Sequence, residues 1–179
     1  MIIGLAGYAR SGKDSAADAL MGIGFRRIAF ADKLREFVYA LNPPLDGDYT
    51  LQDVINQYGW GGYKETYYAE EIRKHLQFIG TDCARRILGP NIWVNATFNA
   101  IDFNEDYVVT DVRFPNEAEG IREKGGRVYR VIREGIGPAN DHYSEVALDD
   151  FPFDDVILNY GTLDEFHEHV RSMFLEGRS

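Results

Sequence analysis

The chain opens on Ile2-Ile3-Gly4-Leu5-Ala6, five residues without a polar side chain. An apolar run so short predicts a strand buried on both faces, as in a parallel sheet. Gly7 to Gly12 forms a glycine-bearing loop, and Ser15 to Met21 has helical character. Phe25 to Phe30 predicts a second strand, after which Leu34, Phe37, Val38 and Leu41 fall on one helix face. Pro43, Pro44, Gly47 and Asp48 break the pattern. Beyond them the spacing is again helical: Leu51, Val54, Ile55 and Tyr58 make one stripe, Ile72, Leu76 and Ile79 another, and an amphipathic segment surrounds Trp93.

Tyr107 to Thr110 predicts a third strand, and Pro115 stands in the first turn of a helix that Gly125 and Gly126 end. Val128 to Ile132 and Val156 to Leu158 predict two more strands, with a loop over 134–141 between them. Leu163, Phe166, Val170 and Phe174 line a closing helix. Strand and helix in alternation predict the α/β class: a five-stranded parallel sheet flanked by helices. The helical middle, about 45–102, reads as an insertion in a single domain over 1–179, at the carboxyl edge where such sheets bind ligands.

A chain of 179 residues with 45% hydrophobic side chains can bury one good core. The net charge of −10 repels phosphate backbones and anionic lipid, which argues against a nucleic-acid polymer or a membrane as partner. Of the 19 basic residues, however, most are Arg, whose planar fork grips phosphate on small ligands. The single cysteine, Cys83, excludes an internal disulfide and fits a reducing compartment. With neither a basic leader nor an apolar stretch of spanning length, the expectation is a soluble cytoplasmic domain.

Gly7-Tyr8-Ala9-Arg10-Ser11-Gly12-Lys13 has the spacing of a phosphate-binding P-loop and lies between a predicted strand and a predicted helix. Such a loop turns backbone N–H groups inward around a phosphate, adds the positive end of a helix, and brings a Lys to the outer phosphates. The residue after the Lys is ordinarily Ser or Thr; here it is Asp14, with the hydroxyl one place later at Ser15. The Asp14 carboxylate can hold Mg2+ directly or through water while Ser15 donates to an inner phosphate. Asp111 ends the strand expected beside the loop, where a carboxylate is costly unless it meets a cation, so it is the second candidate for Mg2+ or for Lys13. A switch GTPase would carry Asn-Lys-x-Asp, which is missing. A hydrolase would follow the Asp with a Glu to activate water, whereas here Arg113 comes two places later. An Arg there suits holding a phosphoryl acceptor and offsetting transition-state charge, which points to a small kinase.

At these motifs the sequence resembles the deoxynucleoside monophosphate kinases of tailed bacteriophages. The segments that carry the resemblance are the P-loop with its Arg-Ser-Gly-Lys-Asp-Ser ending, Phe30-Ala31-Asp32-Lys33-Leu34, Arg73 through Gln77 to Gly80-Thr81-Asp82, Val109-Thr110-Asp111-Val112-Arg113, Asp141-His142-Tyr143-Ser144-Glu145 and Val156 to Leu163. It implies an adenylate-kinase-like P-loop fold, ATP and Mg2+, a deoxynucleoside monophosphate as acceptor and, for a phage-encoded protein, the host cytoplasm. Lys33, Arg73, Gln77, Thr81, Asp82 and Arg86 are then the acceptor residues, with Arg85 as the alternative to Arg86. Plainer roles stand beside these: a solvated charge for Lys33, a pair with Glu70 or Glu71 for Arg73, a helix cap for Thr81-Asp82. Arg130 and Arg133 precede a lid-like loop over about 134–145 that reaches His142 and Glu145. Asn159 and Gly161 stand where adenine would be met, with Thr162 as an alternative helix cap.

Animal phosphomevalonate kinase shares Ser-Gly-Lys-Asp and a Ser-Glu…Leu-Asp-Asp-Phe stretch, but has a second Arg where this chain has Phe114. Dephospho-coenzyme A kinase and a regulator that binds nucleotide without transfer are the further alternatives. Base choice, ribose selectivity and whether the chain forms a homodimer stay open.

Overall fold

The computed structural model describes residues 1–138 and 146–175. His142 and Glu145, with the far part of the expected lid, lie outside the described residues. Among the described residues five strands form one parallel sheet: β1 (Ile2–Ala6), β2 (Arg26–Ile28), β3 (Tyr107–Val109), β4 (Arg127–Arg133) and β5 (Asp155–Asn159), in the order β2-β3-β1-β4-β5. The helices are α1 (Lys13–Met21), α2 (Phe30–Leu41), α3 (Leu51–Gly62), α4 (Ala69–Gln77), α5 (Arg86–Leu88), α6 (Ile92–Phe98), α7 (Pro115–Glu123) and α8 (Leu163–Leu175).

β1 is buried along its whole length because each face is covered. Side chains alternate across a strand. Ile3 and Leu5 join Val108, Val131 and Ile157 in a core with Ala16 and Leu20 of α1 and Phe166, Val170 and Phe174 of α8. Gly4 points the other way, where a Cβ would lie 2.6 Å from Ile121 Cδ1 of α7. β1 lies between β3 and β4 in the sheet. The chain from β1 leads past β3 to β2, whereas the chain from β3 leads past β1 to β4, so connections from these two neighbours run in opposite directions. The carboxyl end of such a strand is where ligands bind in open parallel sheets.

The chain divides into two compact units, Met1–Phe30 with Ala100–Ser179, and Ala31–Asn99. The helical part expected over 45–102 therefore starts earlier and takes in α2. The reason is the α2 stripe: Val38 is fully buried with Leu45, Leu51, Val54, Ile55, Tyr63 and Ile72, and Leu34 packs against that cluster. The second strand is correspondingly shorter than Phe25–Phe30, since Phe30 begins α2. Within the helical unit, α4 runs into a π-helix, Phe78–Arg85. Thr81 and Asp82 thus sit inside a continuous wide helix and not at a helix start, which corrects their reading as a cap. A buried Trp93 indole N–H donates to Gly80 O there at 3.0 Å.

Candidate active site

The loop between β1 and α1 is shaped by two glycines. Gly7 has φ 142, and a Cβ on it would meet Val131 O of β4 at 2.5 Å. Gly12 has φ 106 and caps α1, whose first turn begins with Lys13. Only glycine tolerates such backbone together with such close neighbours. Arg10, at φ 67, is a non-glycine residue in the same left-handed region. Asn159, at the end of β5, donates its side-chain amide to Ser11 O at 2.8 Å and so ties the last strand to the loop. Ser11 is 2% exposed, and among the described residues its Oγ has no hydrogen-bond partner. A buried hydroxyl without a partner is uncommon and marks a place where a bound group can supply one.

Lys13 Nζ donates to Gly7 O at 2.7 Å and Tyr8 O at 2.8 Å, so the ammonium is held against the loop itself. Beside it is a cavity of about 50 Å³ lined by Gly7, Tyr8, Ala9, Lys13, Val112, Arg113, Arg130, Leu148, Asp149 and Phe153. That is well below the ~300–1,000 Å³ of a site enclosing a whole ligand, and it suits a phosphoryl group. Three of the lining side chains are cationic and one is anionic, in a protein of net charge −10. The local field therefore opposes the global one and favours an anion.

Asp149 organises one wall. Its Oδ1 accepts from Arg130 Nη2 at 2.7 Å and from the Tyr8 hydroxyl at 2.6 Å. The Arg130 guanidinium lies over the Tyr8 ring at 5.3 Å and the Phe153 ring at 5.6 Å, both within cation–π range. The hydrogen bond to Asp149 holds the Tyr8 phenol above its ordinary pKa, helped by burial. Arg130, expected beside a lid, is a β4 residue paired with Ala6 in the sheet, and its side chain is part of the pocket wall. Arg133 is exposed at the end of β4. Asp111 is half-buried just past β3, and its Oδ1 accepts the Phe30 amide at 2.8 Å. Asp14 is exposed in the first turn of α1, followed by half-buried Ser15. Gly161, at φ 73, makes the turn into α8, where Thr162 and Glu165 exchange capping bonds.

The residues expected for the acceptor all belong to the helical unit. Lys33 pairs with Glu36 at 2.6 Å and Arg73 with Glu70 at 3.4 Å, so each makes an exposed intrahelical pair. Gln77, Thr81, Asp82 and Arg86 are exposed. Asp149, Leu148, Phe153 and Val112 belong to the pocket without having been singled out as its residues. Asp149 and Arg130 are 19 positions apart on separate elements, and no local spacing joins them.

A glycine loop at the switch point of a parallel sheet, with a Lys in its helix and a cation-lined cavity beside it, defines a P-loop phosphotransferase. The model of the deoxynucleotide monophosphate kinase family matches residues 63–170. A protein of Acanthamoeba polyphaga mimivirus, provisionally named a deoxynucleotide monophosphate kinase, is 34% identical over 191 aligned positions, covering 96% of this chain and 95% of its own. Deoxynucleoside-5′-monophosphate kinase of Escherichia phage T5 is 34% identical over 85 positions, 42% of this chain and 34% of that protein. Among solved structures, dephospho-CoA kinase from Campylobacter jejuni is similar at a TM-score of 0.48 and 14% identity, over 98% of this chain and 96% of that one, a likeness too distant to bear on fold or activity. The chain belongs to the deoxynucleotide monophosphate kinase family, and it is an enzyme that phosphorylates a nucleotide monophosphate. Among the described residues no helix is long and apolar enough to cross a membrane.

Proposed function

We propose that the chain transfers the terminal phosphoryl group of ATP, with Mg2+, to a deoxynucleoside 5′-monophosphate, giving ADP and the deoxynucleoside diphosphate. The observation that carries the reading is the convergence of Lys13, Arg113 and Arg130 on one phosphate-sized cavity beside the loop amides. A phosphate oxygen of the acceptor attacks the terminal phosphorus in line as the bond to the leaving ADP oxygen breaks, and no side chain is phosphorylated. Catalysis is then positioning and charge stabilisation. Lys13 and the loop amides hold the donor phosphates, and Ser15 donates to an inner one. Arg113 and Arg130 offset charge that spreads over the moving phosphoryl group. The Asn159 side chain serves the loop, which leaves adenine to the backbone near Gly161.

Among the described residues no group of three or more His, Cys, Asp or Glu side chains could hold a metal by itself. That fits Mg2+, which usually takes one or two carboxylates and completes its shell with substrate phosphates and water. Asp14 and Asp111 would be those carboxylates, and the ion would neutralise phosphate charge. Lys33, Arg73, Gln77, Thr81, Asp82 and Arg86 are assigned to the acceptor, with Arg133, His142 and Glu145 to the lid.

The test is ADP release from magnesium-ATP with each of the four common deoxynucleoside monophosphates, the ribonucleotides, 5-phosphomevalonate and a no-acceptor blank. Release should depend on a deoxynucleotide, and Lys13→Ala should lower it by about 100-fold or more, the scale of removing one charge-stabilising donor. Release with phosphomevalonate alone, or equal release in the blank, would sink the proposal.

A further inference from the structure

Glu117 is 3% exposed, the most deeply buried carboxylate-bearing residue among those described. A carboxylate out of water is costly unless donors meet it. Its Oε2 accepts the backbone amide of Arg113 at 2.8 Å and that of Phe114 at 3.1 Å. Glu117 also lies in the first turn of α7, where the positive end of the helix favours a negative charge.

The bond to Phe114 is ordinary for its place, because a Glu in the third helical position often reaches back to the cap residue. The bond to Arg113 goes one residue further. It grips the backbone of the residue whose side chain lines the phosphate cavity. From Thr110 to Phe114 the chain belongs to neither strand nor helix, so no ladder fixes Arg113. Both amides bond to the same oxygen, so one acceptor atom sets the placement of two consecutive peptide units.

We infer that Glu117 is a positioning residue for phosphoryl transfer: through the Arg113 amide it fixes the origin from which that guanidinium reaches the transferring group. The inference rests on the role proposed above for Arg113. A displacement of about 1 Å in a positioning group can cost about 100-fold in rate. Glu117 therefore governs turnover in a reaction whose atoms it does not touch.

The test compares kcat, KM for ATP and thermal midpoint in the full chain for Arg113→Ala, Glu117→Ala, Glu117→Asp, Glu117→Gln and the Arg113→Ala/Glu117→Ala double variant. Glu117→Asp keeps a negative charge at the helix start but falls short of the Arg113 amide. It and Glu117→Ala should lose about 10- to 100-fold in kcat with KM for ATP changed by less than about 3-fold. Glu117→Gln, whose amide oxygen can accept both N–H groups, should recover most of the loss. The double variant should turn over no more slowly than Arg113→Ala alone, because the two residues act through one guanidinium. A slow Arg113→Ala beside folded Glu117 variants with wild-type kcat would overturn the inference and leave Arg113 in place. So would multiplying losses in the double variant, or a Glu117→Asp protein that does not fold, since Glu117 would then serve stability alone. Wild-type kcat in Arg113→Ala would instead remove the reading on which the inference stands.

Discussion

Replacing Gly12 by Ala tests how the phosphate loop is held. At φ 106 and ψ 19 a Cβ on residue 12 would lie 2.3 Å from Asn159 Nδ2 and 3.2 Å from Asn159 Cγ, with Phe166 Cε1 next at an ordinary 3.5 Å. Alanine then carries two costs. The left-handed backbone costs about 1–2 kcal/mol, and pushing the Asn159 amide off Ser11 O forfeits about 1 kcal/mol more, so Gly12→Ala should lose about 2–3 kcal/mol. Asn159→Ala alone should lose about 1 kcal/mol. Once that side chain is gone the obstacle has gone too, so the double variant should be about as stable as Gly12→Ala alone, a coupling of about 1 kcal/mol. Both tryptophans, Trp60 and Trp93, belong to the helical unit, so urea unfolding is better followed by far-ultraviolet circular dichroism than by fluorescence. If the double variant loses the sum of the single losses at an unchanged slope, Asn159 is not what a Cβ on residue 12 meets, and the account of the pinned loop is wrong.

Two further outcomes concern other parts of the molecule. Burial raises the pKa of Asp154, but the Val128 amide at 2.7 Å, Arg122 at 3.2 Å and Arg127 outweigh it and leave the carboxyl below its ordinary value. A depressed carboxylate stabilises the fold above its unfolded pKa and loses that contribution as pH falls through the folded one. Asp154→Asn should therefore lower the thermal midpoint at neutral pH, with the gap to wild type closing below about pH 4; a gap independent of pH would contradict this. Trp93→Phe leaves the Gly80 carbonyl without its indole donor and should destabilise the helical unit by about 1–3 kcal/mol in urea, whereas a loss under about 0.5 kcal/mol would show that the bond contributes little.

Much of the frame could be read along the chain. β1 is legible because both its faces are covered, so every position is apolar, and the glycine and lysine spacing after it marks the loop by itself. α3 and α4 follow from stripes whose period matches their helices. What escaped reading depends on partners far away in the chain. Phe30 looks like the end of a strand, yet its amide is held by Asp111, 81 residues on, as the first residue of α2. Asn159 looks like a turn residue, and its amide reaches Ser11 across 148 positions. The π-helix over Phe78–Arg85 defeats a search for helical period, because its bonds join residues five apart. Arg130 reads as a strand-end charge until Asp149 is seen to draw it into the pocket.

The strand order has a consequence for how the protein is made. β1 and β2 emerge before the other three strands but do not touch, because β3 lies between them in the sheet. β3 begins only at Tyr107, after the whole of Ala31–Asn99 has been synthesised. On the ribosome, where chains grow at ~5–20 residues per second, the helical unit is complete before the first two strands have the neighbour that joins them. Strand pairings this remote in sequence are intrinsically slow to form. β4 follows, and then β5 with the asparagine that fastens the loop. The phosphate loop is thus translated before β3, β4 and β5, and the bond that Asn159 makes to it can form only after all of them have emerged.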